Sequence, residues 1–146
     1  MTENMQARRA NTMFALLPQK CGKDAAQQRA TDDKAVRRSL CGVALDHIEY
    51  YCSEIKSTMN RYGDNIEIFL SDRDYQRSIC LSLLQIGELV KRLSLEFRQN
   101  ENQIPWKQIC GLRDIVVHTY GELSFEDIFE TIHQDIDNLY EFCKNN

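Results

Sequence analysis

A chain of 146 residues, 42% of them hydrophobic, is long enough to build one core and one domain. Its two prolines and six glycines disfavour a turn-rich all-β fold, and no stretch approaches the roughly 18 apolar residues of a membrane span, so a soluble, cytoplasmic protein is expected. The net charge of −4 is unevenly placed: residues 1–39 hold eight Lys/Arg against four Asp/Glu, residues 40–146 ten against eighteen, and so acidic a body argues against broad, salt-driven coating of nucleic acid.

Residues 1–39 read as a basic tail, flexible or partly helical, with one small apolar patch at Met13-Phe14-Ala15-Leu16-Leu17 that ends at Pro18. No function attaches to them. Regular patterning starts at residue 40. Leu40, Ala44, Ile48, Tyr51, Ile55 and Met59 recur at steps of three and four, one face of an amphipathic helix. Tyr62-Gly63-Asp64-Asn65 breaks it, and Ile66 to Leu70 reads as a short apolar connector. Ser71-Asp72 offers a cap for a longer second helix, with Tyr75, Ile79, Leu83, Ile86, Val90, Leu93 and Phe97 on its apolar face. Arg73, Arg77, Glu88, Lys91, Arg92 and Arg98 lie on its polar face.

Asn100 to Gln103 is a loop, and Pro105 sits where a helix start tolerates it. Trp106 to Tyr120 is ambiguous in isolation, because Ile115-Val116-Val117 is a β-branched run. Helix is expected there, since no partner strand occurs elsewhere in the chain. Gly121 stops it, and Ser124-Phe125-Glu126-Asp127 resembles a capping box for a last helix running to Cys143. Four amphipathic helices with short connections predict an all-α, antiparallel four-helix bundle over residues 40–146.

The six cysteines (Cys21, Cys41, Cys52, Cys80, Cys110 and Cys143) show no CxxC spacing. Reduced, buried thiols are expected, and a structural zinc site has no ligand pattern behind it. No Gly-rich phosphate loop, HExxH or GxSxG occurs. Of the three histidines, His47 and His133 read as ordinary polar residues on helix edges. His118 has notable neighbours. Asp114 lies four residues before it, close enough on a helix to orient the ring. Arg113 lies five before it, about 7.5 Å along the helix axis, within reach of the same pocket through its long side chain. Tyr120 follows. A cation, an acid, an imidazole and a phenol are thus gathered within eight residues, although surface ion pairing and a favourable helix C-terminus would explain the same residues without catalysis.

The run Arg113-Asp114-Ile115-Val116-Val117-His118-Thr119-Tyr120 resembles the Arg-x4-His-x-Tyr signature of the HepT-like branch of the HEPN group. Asp72-Arg73-Asp74-Tyr75-Gln76-Arg77, Gln85-Ile86-Gly87-Glu88 and Ile104-Pro105-Trp106 are similar to segments that precede that signature. The likeness spans residue 40 to about 143. The tail lies outside it, and Gly121-Glu122-Leu123-Ser124 departs from the usual stretch after the motif. The resemblance implies a helical bundle, a homodimer and an endoribonuclease toxin with Arg113 and His118 catalytic and Asp114 orienting. It also implies a small nucleotidyltransferase antitoxin that transfers AMP to the motif tyrosine, here Tyr120. The implied reaction is attack of the ribose 2′-OH on its own phosphate, which needs no metal and no cofactor. A non-catalytic bundle that partners a nucleotidyltransferase and binds nucleotide through the same residues is the alternative.

Overall fold

The computed structural model describes residues 34–146. The Met13–Leu17 patch, Cys21 and most of the expected tail lie outside the described residues. Helix α1 (Lys34–Tyr62) starts six residues before the point where the apolar stripe becomes regular. It is followed by α2 (Ile66–Ser71), α3 (Arg73–Arg92), α4 (Leu95–Asn100), α5 (Trp106–His118), a 3-10 turn (Tyr120–Glu122), α6 (Phe125–Gln134) and α7 (Ile136–Lys144). The described residues contain no strand. The β-branched run Ile115–Val117 is helical, with Val116 buried in the core.

The apolar stripes meet, except that Leu40, read as the first residue of the first stripe, is 63% exposed. α1 packs on α3 and on α7, and α5 packs on the other flank of α3. Ile48, Cys52, Ile55, Ile79 and Val90 are fully buried between them. Burying a side chain of this kind contributes about 1.5–3 kcal/mol, so the stripe sets which faces meet. Cys41, Cys52, Cys80, Cys110 and Cys143 are all buried free thiols. Burial pushes the Cys80 thiol up to about 11, so it stays protonated and behaves as a small hydrophobe. Among the described residues no group of His, Cys, Asp and Glu could hold a metal ion, and no helix is long and apolar enough to cross a membrane.

Three boundaries differ from the sequence reading, each for a local reason. Ile66–Leu70 is a helix and not a connector. Asn65 caps it, its side chain accepting from the N–H groups of Glu67 (2.7 Å) and Ile68 (3.3 Å). At its other end the buried Gln76 amide donates to the carbonyls of Phe69 (2.9 Å) and Leu70 (3.0 Å), two acceptors a short helix would otherwise leave unpaired. The long second helix stops at Arg92 and not beyond Phe97. Leu93 turns to extended backbone and Ser94 starts α4, its hydroxyl accepting from Phe97 N–H at 3.1 Å. The last helix divides at Asp135, which ends α6 and precedes α7 without a side-chain cap. Burial pushes its carboxyl up to about 6.

Aromatic packing fixes the end of the bundle that holds the motif. Tyr75 is fully buried, stacked on Tyr62 at 4.8 Å and edge-on to Phe69 at 4.9 Å. Phe69 in turn meets Phe125 and Phe129 of α6. The turn after α5 leans on this cluster, through Tyr120 against Phe125.

Candidate active site

The site is built where α5 crosses α3, and the crossing depends on a missing side chain. A Cβ placed on Gly87 would lie 2.3 Å from Arg113 Cβ, 3.0 Å from its Cγ and 3.3 Å from the Ile109 carbonyl oxygen. No real contact is as short as the first of these, so only glycine lets the two backbones approach this closely. Arg113 therefore lies directly over Gly87, and its guanidinium falls between acids from both helices.

Arg113 Nε faces Glu88 Oε1, and its Nη1 donates to Asp114 Oδ1 at 3.0 Å. Lys91 Nζ, from the next turn of α3, donates to the same Asp114 oxygen at 2.9 Å. Arg113 is 24% exposed and Asp114 29%. Burial alone would lower the guanidinium pKa, but the hydrogen bond to Asp114 and the ion pair with Glu88 hold it above its ordinary value. Burial would likewise raise Asp114, yet Lys91 and Arg113 keep its carboxyl below the usual carboxylate range. Both groups stay charged at neutral pH. The guanidinium is held in one orientation by two of its nitrogens, Nε and Nη1.

His118 ends α5 with its ring exposed. Thr119 closes the helix behind it, with both its N–H (2.8 Å) and its hydroxyl (3.0 Å) donating to the Ile115 carbonyl. Tyr120 opens the 3-10 turn, 39% exposed, its ring edge-on to Phe125 at 5.9 Å. Burial, with a smaller push from Cys80, raises its hydroxyl pKa, and Arg77 and Arg73 oppose that rise.

The structure brings Arg113 and Asp114 together but does not join Asp114 to His118. The carboxylate has turned to the two cations, so among the described residues no hydrogen bond links it to the imidazole. A carboxylate beside one ammonium and one guanidinium gains more from them than from an exposed ring that could reach water instead. Glu88 and Lys91 are legible in the sequence only as polar-face residues of the second helix. Their spacing of three, right after Gly87 in a segment similar to the family's, is the available signal. The other two histidines lie elsewhere. His47 is exposed on α1, and His133 bridges the Phe129 carbonyl and Asp64.

Comparison with known proteins agrees with the motif. The model of the family described as "Ribonuclease HepT-like" matches residues 48–145. "Putative RNase TTE0752" of Caldanaerobacter subterraneus subsp. tengcongensis is 37% identical over 100 residues, 68% of this chain and 88% of that protein. "Putative RNase MJ0127" of Methanocaldococcus jannaschii is 36% identical over 70 residues, 48% of this chain and 58% of that protein. "Probable ribonuclease HepT" of Thermococcus cleftensis is 30% identical over 73 residues, covering 50% and 66% respectively. No solved structure matches the chain significantly. The chain belongs to the HepT-like ribonuclease family, carries a HEPN/HepT-type domain, and is by that membership an endoribonuclease.

Proposed function

We propose that two copies of this chain form one composite active site that cleaves RNA by attack of a ribose 2′-OH on the adjacent phosphorus, without a metal. The observation that carries the proposal is the contrast between two residues five apart on α5. Arg113 is clamped by Glu88 and Asp114 through its Nε and Nη1, and His118 is exposed. The first is what a phosphate clamp needs, the second what a proton-transfer group needs.

In the reaction, an imidazole takes the 2′-OH proton and the oxygen attacks phosphorus. The bond to the 5′-oxygen breaks, and a second acid gives that oxygen a proton. The products are a 2′,3′-cyclic phosphate and a 5′-OH. Two proton transfers on opposite sides of one phosphorus need two groups. His133 is committed to Asp64 and His47 lies on α1, so a single chain offers only His118 beside Arg113. A two-fold axis supplies the second imidazole and a second guanidinium. Leu81 on α3 and Val117 on α5 are 59% and 42% exposed, apolar area on the two helices that carry the site and suited to a subunit contact. Asp114 acts as a positioning residue: it holds Arg113 in the direction where charge develops on the phosphate oxygens.

The same proposal makes the chain a toxin held in check by a small nucleotidyltransferase antitoxin that transfers AMP to Tyr120. The hydroxyl belongs to a partly exposed ring two residues beyond His118. An adenylyl group there would put bulk and negative charge into the phosphate cleft.

The test is cleavage of a single-stranded RNA in excess EDTA, followed across a dilution series while sedimentation reports the oligomeric state. The expected result is metal-free cleavage whose rate per subunit falls as dimer converts to monomer. Full activity in a monomer, or activity abolished by EDTA and restored by a divalent cation, would contradict the proposal.

A further inference from the structure

Four charged side chains meet where α5 crosses α3: Arg113 and Asp114 from α5, Glu88 and Lys91 from α3. Glu88 and Lys91 stand three residues apart on one face of α3, and the close approach over Gly87 brings both to α5. The reaction proposed above uses Arg113 and gives Asp114 the task of holding it. Lys91 has no part in it so far.

Without the lysine, Arg113 would face two carboxylates, Glu88 at its Nε and Asp114 at its Nη1. The group would then be net negative, and a guanidinium so surrounded is a poor host for a phosphodiester, itself an anion. Lys91 changes this. Its Nζ donates to Asp114 Oδ1 at 2.9 Å, the same oxygen that accepts from Arg113 Nη1 at 3.0 Å. One carboxylate oxygen is thus shared between two cations, and the group becomes neutral. The contact is partly buried, so salt screens it less than a surface pair. Stability alone does not account for it, because apolar residues can hold a sheltered helix crossing as well as ion pairs do.

From this we infer that Lys91 is a positioning residue of the ribonuclease: it offsets the charge of Asp114, so that Asp114 can hold Arg113 in place without cancelling its attraction for the scissile phosphate. The inference rests on the ribonuclease reading above, and it adds a residue of α3 that lies outside the Arg-x4-His-x-Tyr motif. The effect is largest in the transition state. A phosphodiester carries one negative charge, and attack by the 2′-OH brings the five-coordinate phosphorus toward two. A cluster made net negative therefore opposes the transition state more than the bound substrate, and the loss falls more on kcat than on KM.

The experiment compares the whole chain with Lys91→Met, Lys91→Arg and the double variant Lys91→Met/Asp114→Asn. Methionine keeps the apolar stem of the lysine and removes its charge. In the double variant the amide oxygen of asparagine still accepts from Arg113 Nη1, and the charges of Arg113 and Glu88 again sum to zero. Each protein is assayed for kcat and KM on a short RNA and melted to check its fold. Lys91→Met is expected to lose about tenfold in kcat with a smaller rise in KM. Lys91→Arg should stay close to the unaltered chain, and the double variant should regain several-fold of what Lys91→Met loses. That recovery cannot come from restored packing, because the methionine is still in place. Lys91→Met as active as the unaltered chain, or a double variant no better than Lys91→Met, overturns the counter-charge role while leaving the ribonuclease reading in place. An unaltered chain that cleaves no RNA overturns the ribonuclease reading, and the role of Lys91 with it.

Discussion

Replacing His118 by alanine is expected to lower RNA cleavage by about a thousandfold, with no change in fold. General acid–base catalysis by a placed side chain contributes typically about 10²–10⁴-fold. In a symmetric dimer the substitution removes both proton-transfer groups at once. The residue is exposed and ends its helix, so truncation leaves no cavity, and stability should stay within about 0.5 kcal/mol. Single-turnover cleavage and a thermal melt on the same preparation separate the two effects. A variant that cleaves within tenfold of the unaltered chain would show that His118 is not the acid–base group.

The second large effect is expected at a residue that touches no RNA. In Gly87→Ala the new methyl group would sit 2.3 Å from Arg113 Cβ and 3.3 Å from the Ile109 carbonyl. The first atom belongs to the base of a side chain fixed to its own helix, and the second to backbone, so α5 must move away from α3. Overpacking of this kind costs about 1–3 kcal/mol, partly offset by the helix preference of alanine over glycine, roughly 1 kcal/mol. Stability should therefore fall only modestly. Cleavage should fall far more, about a hundredfold, because a displacement of about 1 Å takes Arg113 out of register with the phosphate. Gly42→Ala is the control. Nothing lies within 4 Å of its added methyl, and activity should be unchanged. Equal activity in both variants would mean that the close approach of α3 and α5 does not position the site.

The helices are legible in the sequence where a long apolar stripe repeats. Tyr75 through Val90 and Ile128 through Cys143 are buried on the faces their spacing indicates. The motif is legible too, because Arg113, His118 and Tyr120 stand close together along the chain. Breaks within helices are not. Ser94 and Asp135 interrupt stripes whose periodicity carries on across them, and the apolar Ile66–Leu70 segment hides a helix made possible by Asn65 on one side and Gln76 on the other. The partner of Asp114 escapes the sequence for a related reason. Spacing along α5 offers His118, but the two cations that take the carboxylate come from the adjacent residue Arg113 and from Lys91, 23 positions away. Periodicity reports which face of a helix is apolar. It does not report which neighbouring helix brings the competing charge.

The chemistry of the cut ends tests the central claim most directly. RNA cleaved by the purified chain in EDTA should carry a 2′,3′-cyclic phosphate on one fragment and a 5′-OH on the other, and a strand with a single 2′-deoxy sugar at the cleaved linkage should survive there. Fragments bearing 5′-phosphates, or cutting that persists at the deoxy position, would contradict an attack by the ribose hydroxyl.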